Sequence, residues 1–163
     1  MRYLDVPYFK QDTLYTCGPT SLQMVFSYYG IRESEAALKE ELETSPETGT
    51  EHQQMINAVL KRGFHCYVNN DATLEDIHSL VERGVPTIVR FLETANNEDH
   101  YGVVVGVSSE EVVINDPWNG ERVRFSHEDF MGRWKCDKLG DCTRWIMAIS
   151  QEPFSVGHQY HPK

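Results

Sequence analysis

Up to Gly84 the apolar residues of this chain recur at helical spacing, and from Val85 onward they gather into short β-branched runs. The change predicts helices first and a sheet second. Leu22, Val25, Phe26 and Tyr29 fall at i, i+3, i+4 and i+7 behind Pro19, whose missing N–H suits a first helical turn, and Gly30 supplies the stop. Ser34 caps a second helix to about Glu43, with Ala37, Leu38 and Leu42 inward, before Ser45-Pro46-Glu47-Thr48-Gly49 breaks it. Thr50 with Gln53 resembles a capping box opening a third helix to about Arg62. Phe64 to Val68 reads as a short strand, and Thr73 caps a fourth helix carrying Leu74, Ile77, Leu80 and Val81.

The β runs are Val85 to Leu92, Tyr101 to Val107, Val112 to Asn115, Glu121 to Phe125 and Trp145 to Ser150. They predict one largely antiparallel sheet. Ser108 to Glu111 forms a hairpin turn, Asn119-Gly120 a second turn, and Ser126 with Asp129 opens a short helix through about Trp134. With no repeat and no linker, the chain reads as one α+β domain over residues 1–163, its core at about 5–150. Residues 151–163 read as a tail, in which His158 and His161 belong to a solvated end rather than a metal site.

Charge narrows the partners. The net charge of -10, from 15 Lys and Arg against 25 Asp and Glu, excludes a nucleic-acid surface. The acidic density from Glu33 to Glu51 reads as the solvated face of a helix and the loop after it. No apolar stretch of membrane-spanning length and no signal segment is visible, so a soluble, cytoplasmic protein is expected, although a domain cut from a longer exported protein would read the same way. The four cysteines, at 17, 66, 136 and 142, are too few for a disulfide framework and match no zinc template, so neither a metal nor another cofactor is implied. Cys136 and Cys142 flank a turn-like segment and stay open between a disulfide and two thiols.

Candidate chemistry begins at Cys17. It stands at a helix N-terminus, where unpaired N–H groups and the helix dipole favour the thiolate, the reactive form. His100 opens a Val-rich strand and Asp116 ends the next, so a hairpin between them brings the two together, Asp116 accepting from one ring nitrogen while the other faces Cys17. Side chains alternate along a strand, so two even-numbered residues share a face only if paired residue numbers sum to an even value. A three- or five-residue loop, or a bulge near Ser109, is therefore expected. Gln11, six residues before Cys17, can donate its amide to an oxyanion together with the Cys17 N–H. Tyr15, Thr16, Gly18 and Trp118 are candidates for lining the cleft, ordinary packing being the alternative for each.

Gln11-x5-Cys17-Gly18-Pro19-Thr20-Ser21, His100 before its Val-rich strand, and Asp116-Pro117 with Gly120 shortly after make the chain resemble the papain-like cysteine peptidases. Within that group it is similar to the C39 family of bacteriocin-processing peptidases and their stand-alone C39-like relatives, over about residues 5 to 150. The resemblance implies a helical half packed against an antiparallel half-barrel with the cleft between. It implies Cys17 as nucleophile, His100 as base and then acid, Asp116 as orienter, Gln11 as oxyanion donor, and a peptide or protein substrate. Bacteriocin-processing members are fused to transporters and cut after a double glycine; no transporter is present here, so that specificity does not carry over. The acceptor stays open between water, which gives a peptidase, and an amine, which gives an acyltransferase. A non-catalytic peptide-binding module is the third possibility, though it gives no chemical reason to hold all four residue types.

Overall fold

The computed structural model describes residues 2–135 and 143–154 and the backbone of 158–160. Cys136, Cys142 and His161, and the His158 side chain, lie outside the described residues, and with them the disulfide and histidine expectations. The chain runs α1 (Cys17–Tyr28), α2 (Glu35–Glu41), α3 (His52–Lys61), β1 (His65–Asn69), α4 (Leu74–Glu82), β2 (Thr87–Leu92), β3 (Asp99–Val107), β4 (Glu111–Asp116), β5 (Gly120–Ser126), α5 (His127–Arg133), β6 (Ile146–Ser150) and β7 (His158–Tyr160). The strands form a single sheet ordered β5-β4-β3-β2-β6-β1-β7, antiparallel throughout.

Most predicted elements form where their caps and periodicity place them. Ser34 Oγ accepts from the Ala37 N–H, and Thr73 and Asp76 close a reciprocal capping box. The third helix departs from expectation: it starts at His52 behind Glu51, not at Thr50. The Thr50 side chain is taken elsewhere, its hydroxyl paired with Thr44 Oγ1 at 2.7 Å and its carbonyl accepting from the Tyr101 hydroxyl at 3.0 Å. The tail also differs, since residues 158–160 add an edge strand beside β1 and Phe154 is buried with its ring 5.6 Å from that of Tyr67.

The acidic stretch is less solvated than its composition implies. Glu41 takes a bidentate grip on the Arg62 guanidinium at 2.7 and 2.8 Å, and Glu33 accepts from Arg62 Nε at 3.1 Å, which clasps α2 to the end of α3. Glu35 turns the other way. Its carboxylate accepts from the Asp12 N–H and from the Thr20 hydroxyl, tying the loop before α1 to α2.

Strand β3 is buried from His100 to Val107, with α1 and α4 both packed on it. Helix α1 buries Leu22, Met24, Val25 and Phe26, and its packing on β3 sets its first residue beside Tyr101. No helix among the described residues is long and apolar enough to cross a membrane.

The β3–β4 hairpin settles the parity question in an unexpected way. At the turn, Val107 pairs with Val112 and Gly106 with Val113, an odd sum, and the Ser108 N–H donates to the Glu111 carbonyl in a tight connection. That register alone would put His100 and Asp116 on opposite faces. Between Val104 and Gly106 the register shifts, so that Val104 pairs with Ile114 and Val103 with Asn115, an even sum. The bulge is thus at Val105 rather than near Ser109, and it turns His100 and Asp116 to the same face. A second irregularity follows on the other edge of β4, where Arg122 adopts φ 51° and its N–H donates to the Asn115 side chain.

Candidate active site

The segment before α1 is threaded along the end of the sheet. The Leu4 N–H donates to the Val105 carbonyl, the Tyr8 hydroxyl to the Asp116 carbonyl at 2.7 Å, and the Gln11 N–H to the Pro117 carbonyl at 2.9 Å. This path carries Gln11 past the end of β4 and into the turn that starts α1. Within the turn, Thr16 is fully buried, its hydroxyl 2.9 Å from that of Thr13 and its carbonyl accepting from the Thr20 N–H. Cys17 is the first residue of α1 and remains partly exposed.

Three of the predicted residues meet here. His100 Nε2 is 2.7 Å from Asp116 Oδ1, and Nδ1, the other ring nitrogen, is left to hydrogen-bond the Cys17 thiol. Asp116 is completely buried, yet both its carboxylate oxygens meet donors: Oδ1 also accepts from the Trp118 and Asn119 N–H groups, and Oδ2 from Asn119 Nδ2 at 2.9 Å. Burial alone would raise the Asp116 carboxyl, but the His100 hydrogen bond and charge and the Asn119 donors hold it below the usual carboxylate range. Asp116 is therefore an anion.

Cys17 and His100 charge each other. Burial pushes the Cys17 thiol up, but the His100 charge and hydrogen bond, the Tyr101 N–H and the Arg90 charge together bring it below its ordinary value. Burial likewise opposes charge on His100, and the Cys17 thiolate and the Asp116 carboxylate override it, pushing the imidazole up to about 10. Both shifts run toward the charged forms, a thiolate on Cys17 and an imidazolium on His100. Cys66 shows the contrast: buried in β1 without a cationic partner, its thiol is pushed well above the ordinary range.

A cleft of about 170 Å³ opens onto Cys17. Residues 46–49 of the turn Ser45–Gly49, which is closed by reciprocal backbone bonds between its two ends, line it together with Tyr15, Arg90 and Tyr101. Of the predicted lining residues, Tyr15 faces this cleft, its ring 5.0 Å from the Lys39 ammonium. Thr16 and Gly18 are buried behind it, and Trp118 lies by the Asp116 turn with the Lys10 ammonium 5.7 Å from its ring. Gln11 is 3% exposed; its Nε2 donates to the Thr13 carbonyl at 2.6 Å, which leaves a second N–H on that nitrogen, while Oε1 is buried without a hydrogen-bond partner among the described residues.

Residues 3–139 match the Peptidase_C39 like family. The chain belongs to that family. Among solved structures, this C39-like domain is similar to the peptidase domain of Streptococcus ComA, a bi-functional ABC transporter involved in a quorum-sensing pathway. The two are 28% identical at a TM-score of 0.73, with 90% of this chain and 99% of that one covered. A double glycine motif protease from an AMS/PCAT transporter, solved in complex with its leader peptide, shares the fold at a TM-score of 0.73 and 20% identity, over 91% of this chain and 94% of that one. An uncharacterized protein of Methanothermobacter marburgensis is 32% identical over 121 residues, 74% of this chain and 78% of its own length.

The C39-like domain also uses residues that the sequence reading left out. Glu93 is 3% exposed and accepts from the Ala95, Asn96 and Glu98 N–H groups and from Asn119 Nδ2, so the β2–β3 loop and the Asp116 turn share one carboxylate. An acidic residue next to a β-branched run gives no sequence signal for this. Gly18 has a steric role: a Cβ there would sit 2.5 Å from Thr50 Oγ1 and 2.7 Å from Thr50 Cβ, and Thr50 is held in place by Thr44 and Tyr101. Gly18→Ala is expected to cost about 1–3 kcal/mol through this overlap, read as a lower urea midpoint at unchanged m-value. An unchanged midpoint would show that Thr50 yields freely.

Proposed function

We propose that this domain is a cysteine peptidase that cleaves a peptide bond through a thioester acyl-enzyme. The observation that carries the reading is the His100 imidazole bridging the Cys17 sulfur at the start of α1 and the buried Asp116 carboxylate. The Cys17 thiolate attacks the carbonyl carbon, and the oxygen that gains charge is received by the Cys17 N–H, which has no acceptor within the helix, and by the second N–H of Gln11 Nε2. The His100 imidazolium gives its proton to the departing amine. Now neutral, it takes a proton from water, whose oxygen attacks the thioester and releases the acid. Asp116 keeps Nε2–H as a donor throughout and so holds Nδ1 toward the sulfur. The leader peptide bound by the AMS/PCAT protease of the same fold supports a peptide as occupant of this cleft.

The test is intact-mass alkylation of the native chain with iodoacetamide across pH. Cys17 is expected to react first and to keep reacting below the pH at which ordinary thiols fall silent, because its thiol titrates below its usual value. Cys66 is expected to stay unmodified until the chain unfolds. In His100→Ala the pH advantage of Cys17 disappears. A native Cys17 that reacts no faster at neutral pH than the other three cysteines would sink the assignment.

A further inference from the structure

Two buried carboxylates meet on one amide behind the catalytic ring. Glu93 directly follows β2 and is buried, whereas residues 94–98 of the loop it anchors are all exposed. Its Oε1 accepts from the Ala95 N–H at 2.8 Å, and Oε2 from the Asn96 and Glu98 N–H groups at 2.7 and 3.1 Å. Burial works against charge on Glu93, yet the Glu98 and Asn96 N–H groups and the Asn119 amide hold its carboxyl below the usual carboxylate range. The second carboxylate is that of Asp116.

Asn119 stands between them. One N–H of its Nδ2 goes to Asp116 Oδ2 at 2.9 Å and the other to Glu93 Oε1 at 3.3 Å. A primary amide has two such hydrogens and both are used, so its orientation is fixed: exchanged end for end, the amide would set its oxygen against two anions. An asparagine that serves only a turn bonds the backbone beside it. Here both side-chain hydrogens go to carboxylates, one of them 26 residues away in sequence.

The bond to Asp116 falls on the oxygen that the histidine does not use. His100 Nε2 and the Trp118 and Asn119 N–H groups all lie on Oδ1, while Oδ2 has the Asn119 amide. A carboxylate turns readily about its last side-chain bond, and turning would carry Oδ1 out of line with the ring nitrogen. We propose, on the peptidase reading, that Asn119 is a positioning residue acting through Asp116: its amide, anchored on Glu93, pins Oδ2 and thereby holds Oδ1 on the His100 ring. Asn119 reaches the Cys17 sulfur only through Asp116 and His100.

The first readout is the ring itself. With nitrogen-labelled histidine at neutral pH, the native domain is expected to show a downfield proton resonance from His100 Nε2–H, assigned by its loss in His100→Ala. In Asn119→Ala this resonance is expected to move upfield and broaden into exchange with water. Asn119→Asp, which keeps the size of the side chain and has no N–H to give, is expected to do the same, and either variant decides alone if the other fails to fold. In turnover of a peptide that the native domain cleaves, Asn119→Ala is expected to lower kcat about tenfold at unchanged KM. In the Asp116→Asn background the same substitution is expected to cost less than about twofold, because its route to the ring is already altered. An unchanged resonance in either variant, even with a lower urea midpoint, reduces Asn119 to a turn residue and overturns the positioning role, as do equal losses of kcat in the two backgrounds. A native domain without the resonance overturns it as well. The resonance needs no turnover, so its loss in the variants of a domain that cleaves no peptide supports the geometry and overturns the peptidase reading alone.

Discussion

Cys17→Ala is expected to lower kcat for peptide hydrolysis on the order of 10⁶-fold, while Cys66→Ala leaves it unchanged. The size follows from the arrangement. A cysteine without His100 loses the largest charge that holds the thiolate and has no donor for the leaving amine, and His100 without Cys17 has no nucleophile to activate. His100→Ala is therefore expected to lose nearly as much, and the double variant Cys17→Ala/His100→Ala no more than either alone, because the two act as one unit. The measurement is initial-rate hydrolysis of a peptide that the native domain cleaves. Activity left in Cys17→Ala within tenfold of native would end the thioester mechanism, and additive losses in the double variant would separate the two residues.

The second large effect belongs to Asp116, and its two substitutions are expected to differ. In Asp116→Asn the amide oxygen can occupy the Oδ1 position and go on accepting from His100 Nε2–H and from the Trp118 and Asn119 N–H groups, so orientation survives while the negative charge is lost. Turnover is expected to drop by about 10–10²-fold, less than the roughly 10⁴ seen where a triad's tautomer is wrong, because the imidazolium already carries both ring protons. The pH–rate profile narrows from its basic side. Its basic limb, set by His100 losing its proton near 10, moves down as the carboxylate that favours the charged ring is removed. Its acidic limb, set by the Cys17 thiol below its ordinary value, stays in place, because the ring beside the thiol is fully charged throughout that range. Asp116→Ala removes every acceptor. The N–H groups of Trp118 and Asn119 are then left without their partner at about 1–3 kcal/mol each, so loss of activity and a lower urea midpoint arrive together. Equal losses in the two variants with unshifted pH limbs would reduce Asp116 to a structural turn.

Much of this site was legible because its residues sit at element boundaries. Cys17 precedes a helix marked by Pro19 and a clean apolar spacing, and Asp116-Pro117 closes a run of branched residues, so each candidate could be placed before any contact was known. The order of helices and strands followed from the same caps and runs. What pattern could not supply was long-range partnership. Thr50 looked like a helix cap because its offset to Gln53 is right, but Thr44 and Tyr101 compete for its hydroxyl and its carbonyl. Glu33, Glu35 and Glu41 read as solvated charge, and each instead finds a donor that is distant in sequence. Arg90 reads as one basic residue in an apolar strand, and only the ladder that sets it opposite Tyr101 brings it to the cleft. The edge strand at 158–160 lacks a run long enough to announce itself.

The bulge at Val105 ties chain length to chemistry. Delete one residue there and the β3–β4 hairpin can still close with its tight turn, but every side chain between His100 and Val104 changes face relative to Asp116. Such a chain would fold into a sheet of the same strand order and carry a histidine that never meets its aspartate. Evolution along this hairpin is thereby restricted to compensated changes: a single insertion in the turn at Ser108 to Glu111 is tolerated only with loss of the bulge, whereas two residues gained or lost together leave the pairing parity, and the catalytic face, intact.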